Sequence, residues 1–259
     1  MVSVYPDCIR NLDYTFMSYE QTDQSHFTRW AATYDRGIGG YFFRKSYKKV
    51  LSVLNPKPGQ KVVDLACGTG GFIAELLKFR DGETSAVDDQ PHPTFPLERG
   101  GGQIEIIGLD YTEAMLEVAR QKFEGNPRVS LMASSAERVP LAEKSADIVY
   151  CLDAFHHFLH ADEALKEVRR VLKPDGRFVI LDPVDDGWRK VMHLVMPFIG
   201  ESHTFARNTN KWHELLARHG FEIEYERRWM AFFKMFIVHV KITTATAGSR
   251  LGGKNQNGK

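Results

Sequence analysis

Cysteine is scarce in this sequence. Its three cysteines, Cys8, Cys67 and Cys151, are odd in number and far apart. They form neither a disulfide framework nor a CxxC metal pattern, which favours a reducing compartment and a cytoplasmic location. Excess charge of one sign is lacking too. The net charge is +1, so bulk electrostatics give no reason to expect a nucleic-acid partner. No run of about 18 apolar residues occurs, and no transmembrane segment is expected. Met1–Tyr14 is polar and mixed, without the apolar centre of a signal peptide. No internal repeat is visible, and nothing in the composition fixes an oligomeric state.

What the chain does have is enough apolar material for a core. It has 259 residues, 43% of them hydrophobic, which suits one large α/β domain or such a domain with a lid. Helical spacing of Phe27, Trp30, Ala31 and Tyr34 predicts a helix over 22–36, stopped by Gly37-Ile38-Gly39-Gly40. A second helix is expected over 41–54. Strands and helices then alternate. Strands are predicted at 61–65, 104–109, 129–133, 146–152 and 177–181. Helices are predicted at 71–79, 112–123, 162–172 and 211–219. Two further strand-like runs follow at 221–228 and 232–242. Near-continuous apolar strands between helices indicate an α/β, Rossmann-like doubly wound, mostly parallel sheet covered on both faces. The last two runs suit an antiparallel C-terminal edge. The expected organisation is an N-terminal helical lid segment (1–55), a cofactor-binding domain (56–243) and a disordered tail (244–259). A lid segment at 183–210 falls within the second unit.

One stretch breaks the alternation. Residues 80–103 form a polar insertion with Pro91, Pro93, Pro96 and Gly100-Gly101-Gly102, a composition that favours disorder. Within it, Thr84-Ser85-Ala86-Val87-Asp88-Asp89 imitates a strand with a terminal acid. Ile104–Asp110 is longer, more apolar and followed by an amphipathic helix, so it is the better second strand.

Ligands of an open parallel sheet bind at the carboxyl ends of its strands. Four strand ends carry suggestive chemistry. The first is Val62-Val63-Asp64-Leu65-Ala66-Cys67-Gly68-Thr69-Gly70-Gly71, an apolar strand, an acid and a glycine turn before a helix. Glycine admits a ligand close to the backbone, and the helix start offers free N–H groups to a carboxylate. An acid before the glycines suits a ligand with an ammonium and ribose hydroxyls better than a pyrophosphate, although Asp64 also suits capping the turn. Those features point to S-adenosylmethionine, with Ala66, Gly68 and Gly70 at its backbone contacts. Asp110 ends the second strand, where a carboxylate accepts from two ribose hydroxyls or caps the next helix. Ala136-Glu137, after the third strand, suits the adenine edge. Leu152 and Asp153 end the fourth, beside the sulfur of a ligand so placed.

These residues, in this order, resemble the class I S-adenosylmethionine-dependent methyltransferases. The likeness is to the small-molecule branch that includes the ubiquinone/menaquinone C-methyltransferases. It runs from about Phe27 to Ile242 and also rests on Gly108–Leu116, Ala136–Leu141 and Leu172–Gly176. The resemblance implies Tyr111 and Met115 beside adenine and ribose, and Tyr34 as a lid contact to the methionyl end. One departure is spacing: 42 residues separate Gly68 from Asp110, about twice the roughly 20-residue interval of dinucleotide folds. The insertion accounts for the excess.

Methyl transfer from a sulfonium needs alignment and a dry pocket, and a general base only when the acceptor must lose a proton. His156 and His157, in Asp153-Ala154-Phe155-His156-His157-Phe158, border the expected sulfur position and are candidate bases. They equally suit support of the turn. No third ligand at short spacing makes them a metal site, so no metal is expected. His203 is a further candidate base. Around it, Trp188, His193, Met196, Phe198 and Phe205 suit a pocket for an apolar aromatic or isoprenoid small-molecule acceptor. The stretch 188–199 equally suits peripheral membrane contact or plain helix packing. Two other functions stay open. One is a cofactor-binding regulator or non-methylating catalyst on the same fold. The other is an NAD-dependent oxidoreductase, disfavoured because Ile73 stands where GxGxxG has its third glycine.

Overall fold

Alternation along β1 (Lys61–Leu65) sends its side chains to opposite faces of a sheet. Val62 packs in one apolar layer with Ile73 and Leu76, whereas Val63 and Leu65 join Leu165 and Val168 in the other. The computed structural model describes residues 24–53, 56–83, 103–187, 206–229 and 233–240. The remaining strands are β2 (Glu105–Asp110), β3 (Val129–Ala133), β4 (Ala146–Leu152), β5 (Leu172–Pro183), β6 (Phe221–Trp229) and β7 (Phe233–Val240). They form one seven-stranded sheet in the order β3-β2-β1-β4-β5-β7-β6. The first five strands are parallel, and β7 runs antiparallel to both β5 and β6. This is the expected mostly parallel, Rossmann-like sheet with an antiparallel pairing at its C-terminal edge.

Helices cover both faces. Residues 24–30 (α1) lead into a 3-10 turn at Ala31–Thr33. Then come α2 (Gly37–Val53), α3 (Gly71–Arg80), α4 (Glu113–Lys122), α5 (Ala161–Val171) and α6 (Thr209–Arg218). Leu51, Leu76 and Leu116 place α2, α3 and α4 on one face, and Leu165 and Leu215 place α5 and α6 on the other. The inward stripe of α5 is Ala161, Ala164, Leu165, Val168 and Val171. Each of its larger members contributes about 1.5–3 kcal/mol by leaving water.

Two boundaries differ from expectation for visible reasons. Gly37–Gly40 open α2 rather than ending the preceding helix. A Cβ on Gly40 would lie 2.1 Å from the carbonyl oxygen of Asp35, so glycine here permits a tight corner between two helices. In β5, the Lys173-Pro174-Asp175-Gly176 turn lies inside the strand. Ala146 pairs with Leu172 and Ile148 with Arg177, so the turn loops out between paired residues.

The insertion follows α3, and Gln103, just before β2, accepts the Gly59 N–H at 2.8 Å. Residues 84–102, including the imitation strand, lie outside the described residues, as do 188–205 and the expected tail. β2 forms where the longer apolar run predicted it. The strand order reverses between β1 and β4, and the crevice of such a sheet opens at that switch point, beyond the strand carboxyl ends. No helix among the described residues is long and apolar enough to cross a membrane.

Candidate active site

A cavity of about 270 Å³ opens at the switch point. Ala66, Gly68, Asp110, Tyr111, Met115, Ala136, Glu137 and Leu152 from the strand ends all line it, and Tyr34 reaches it from the N-terminal helices. His157 lines it as well. Asp64 and Gly70 do not, nor does His156, and His203 lies outside the described residues.

The floor is the turn after β1. Ala66 and Gly68 both adopt left-handed backbone, with φ of 60° and 54°. For alanine that conformation is strained, and such strain clusters at functional sites. A Cβ on Gly68 would meet nothing within 4 Å, so the space above it is open to a ligand. Gly70 differs. Its φ is +75°, and a Cβ there would lie 2.4 Å from the Phe123 ring. Gly70 is buried, stays off the cavity lining, and packs α3 against the end of α4. Gly71 takes the place expected for Gly70 on the cavity wall.

Asp110 organises the floor. Its Oδ2 accepts the Gly68 N–H at 2.8 Å and its Oδ1 accepts the Thr112 N–H at 2.8 Å. Thr112 occupies the N-cap position of α4 without a capping bond from its side chain. The carboxylate therefore bridges two turns at the floor of the cavity.

Carboxylates gather around the cavity: Asp110 and Asp153 line it, and Asp64 lies buried close to Asp110. Asp64 is buried, and its Oδ2 has no hydrogen-bond partner among the described residues. Burial first, and then Asp110, push its pKa well above the usual carboxylate range. The Tyr47 hydroxyl, on the cavity wall, is pushed up by burial and then by Asp153, Asp64 and Asp35. Burial, Asp64 and Asp110 likewise keep Cys67 a neutral thiol. An unpartnered buried carboxylate among like charges fits a cationic ligand. The residues present therefore fit S-adenosylmethionine, with its ammonium and sulfonium, and disfavour a pyrophosphate. Ile73, at the position of the third dinucleotide glycine, is fully buried in the core.

Apolar side chains line the same cavity: Phe27, Ala154, Phe158 and Leu159, together with His157. The Phe27 and His157 rings meet edge to face at 5.1 Å. His156 turns the other way. It is fully buried, and its Nδ1 lies 3.0 Å from Asp182 Oδ1. Consecutive residues of a 3-10 turn point in different directions, so only one histidine of the pair reaches the cavity. His156 thus stays off the cavity lining and is engaged within the core, as the alternative of supporting the turn would have it.

Several wall residues escaped the sequence reading. Tyr47 lay in a helix assigned to the lid with no site role. Gln24 donates to the Tyr111 carbonyl at 3.5 Å and brings α1 over β2. Ser135 and Thr112 are neighbours of predicted residues and were within reach of the same argument. Among the described residues no cluster of His, Cys, Asp and Glu suits a metal.

Comparison with known proteins agrees with this geometry. A family model described as a methyltransferase domain matches residues 92–180, from within the insertion to β5. A demethylmenaquinone methyltransferase of Lactobacillus johnsonii is 29% identical over 226 residues, covering 76% of this chain and 83% of that protein. An uncharacterized methyltransferase-like protein of Schizosaccharomyces pombe is 33% identical over 164 residues, 62% of this chain. The match spans only 53% of that relative's length. A solved S-adenosylmethionine-dependent methyltransferase from Aquifex aeolicus shares the fold, with a TM-score of 0.57, 17% identity and coverage of 84% of this chain and 98% of that one. The chain is similar in sequence and fold to the class I S-adenosylmethionine-dependent methyltransferases, and that likeness supports S-adenosylmethionine as its cofactor.

Proposed function

We propose that this chain moves a methyl group to a small, partly apolar aromatic acceptor of the quinol kind. The observation that carries the proposal is the mixed lining of the cavity. Asp110 and Asp153 line it, with Asp64 buried close by, and so do Phe27, Phe158 and Leu159. A cationic donor suits the acids and an apolar acceptor the aromatic and aliphatic side chains. The name of the Lactobacillus relative, a demethylmenaquinone methyltransferase, supports a quinone-type acceptor.

The bound cofactor supplies an electrophilic methyl on its sulfonium. The chain's residues then have separable tasks. Asp110 accepts from the ribose hydroxyls while holding the Gly68 loop. Ala136 and Glu137 read the adenine edge, with Tyr111 and Met115 flanking the ring and sugar. Asp64 and Asp153, around Tyr47, favour positive charge by Coulomb attraction in a poorly solvated site. Tyr34 and Phe27 exclude water from above. His157 takes the acceptor's proton at its imidazole.

The test is a metabolite screen with labelled S-adenosylmethionine, followed by mass spectrometry of the product. Label on a quinol or similar phenolic ring supports the proposal. Cofactor binding with no label moved to any such acceptor overturns it and favours a non-methylating role.

A further inference from the structure

Asp35 follows Tyr34 directly, and Tyr34 lines the cavity. Its carboxylate reaches away from the N-terminal helices to the floor. Oδ1 accepts from the Thr69 hydroxyl at 2.8 Å. Oδ2 pairs with Lys122 Nζ at 2.7 Å, and the same ammonium donates to the Thr69 carbonyl at 2.7 Å. Thr69 is buried and follows Gly68, the open floor residue. Lys122 is the last residue of α4, where a cation also suits the helix C-terminus. The three groups close a ring of hydrogen bonds between lid, glycine turn and α4. Residues 34 and 87 positions apart in sequence meet there.

We propose that Asp35 is a positioning residue that holds the N-terminal lid over the cofactor by bonding to Thr69 and Lys122. The inference rests on the reading that the cavity takes S-adenosylmethionine. Tyr34 on the lid and Gly68 on the floor are each chain neighbours of a bonded partner. Closing the ring therefore fixes the spacing between roof and floor. The side chains of Asp35 and Lys122 are 39% and 28% exposed, so the ring opens to water without unfolding the core. The Gln24–Tyr111 bond and the Phe27–His157 ring contact also tie the lid, and the bond, at 3.5 Å, is long enough to give way once the ring opens. The cofactor leaves when the lid lifts, and Asp35 sets how often it does.

The test measures the dissociation rate of S-adenosylmethionine by stopped-flow displacement and its affinity by titration calorimetry. Wild-type protein is compared with Asp35→Ala, Lys122→Met and Lys122→Arg. Losing the hydroxyl bond and the part-exposed ion pair in Asp35→Ala raises the dissociation rate about tenfold. Lys122→Met, which keeps the Thr69–Asp35 bond, gives an increase of about threefold. Lys122→Arg restores the wild-type rate. A purely structural role would lower the melting temperature and the binding stoichiometry while leaving the dissociation rate of the folded fraction unchanged. Wild-type dissociation rates in both Asp35→Ala and Lys122→Met overturn the proposal while leaving the cofactor assignment intact. A wild-type chain that binds no S-adenosylmethionine overturns both.

Discussion

The Asp110 carboxylate and the Gly68 amide, 42 residues apart in sequence, are joined by a 2.8 Å hydrogen bond across the floor of the cavity. Both oxygens of Asp110 accept backbone N–H groups. Asp110→Ala therefore weakens S-adenosylmethionine binding by about 1–3 kcal/mol, through loss of charge-assisted bonds. Asp110→Asn does not rescue it, because the amide must turn an NH₂ toward one of two N–H donors. Calorimetry on both variants checks this, and an Asn variant with wild-type affinity would refute the two-acceptor geometry.

Two glycines of one turn separate into different kinds. Gly70→Ala forces a Cβ to 2.4 Å from Phe123 at a φ of +75°. It costs about 2–4 kcal/mol of stability, and Phe123→Leu recovers part of it. Gly68→Ala meets open space, costs about 1 kcal/mol from its backbone conformation, and removes most of the cofactor affinity. Thermal melts paired with binding titrations separate the two effects. Equal losses of stability would count against the distinction.

The two histidines divide in the same way. His156→Ala leaves the buried Asp182 without the imidazole and costs about 3 kcal/mol of stability. His157→Ala leaves stability nearly unchanged and lowers turnover on a proton-losing acceptor about 10²–10⁴-fold. The measurement is chemical denaturation beside single-turnover kinetics. Full turnover in His157→Ala would remove the base from the mechanism.

Acid sensitivity has a defined local source. The Glu167 carboxylate accepts from Arg170 at 2.7 Å and from the Val139 N–H at 2.8 Å. Arg170 in turn donates to the carbonyls of Val139 and Leu141. The Arg170 hydrogen bond holds the Glu167 pKa below its usual value. A depressed carboxylate contributes stability above the unfolded pKa of about 4.3 and loses it as pH falls through the folded value. The clamp fixes the loop carrying Ala136 and Glu137. Glu167→Gln is therefore about 1 kcal/mol less stable than wild type near neutrality, and the gap closes below about pH 4. A gap independent of pH would point to packing instead.

Much of this architecture was legible in the residues. The apolar strands, the acid-then-glycine turn and the acid closing β2 are local patterns, and sheet topology carried them to one crevice. What escaped depends on approach from a distance. Gly70 reads like Gly68 until Phe123 is placed over it. His156 and His157 are indistinguishable until Asp182, 26 residues beyond His156, claims one ring. Gly37–Gly40 carry the composition of a helix stop, yet the Asp35 carbonyl beneath Gly40 makes them a corner. The Asp35–Thr69–Lys122 ring joins three elements that no periodicity links.

The long insertion between α3 and β2 has a consequence for how the molecule is divided. The Asp81–Arg128 pair, with both oxygens engaged at 2.8 Å, joins the elements on its two sides. Five residue pairs of the β1–β2 ladder and the Asp110–Gly68 bond do the same. Neither side holds the complete cavity lining, since one supplies Gly68 and the other Asp110. Two separately made fragments divided within the insertion are therefore expected to reassemble, with ligand capture as the readout.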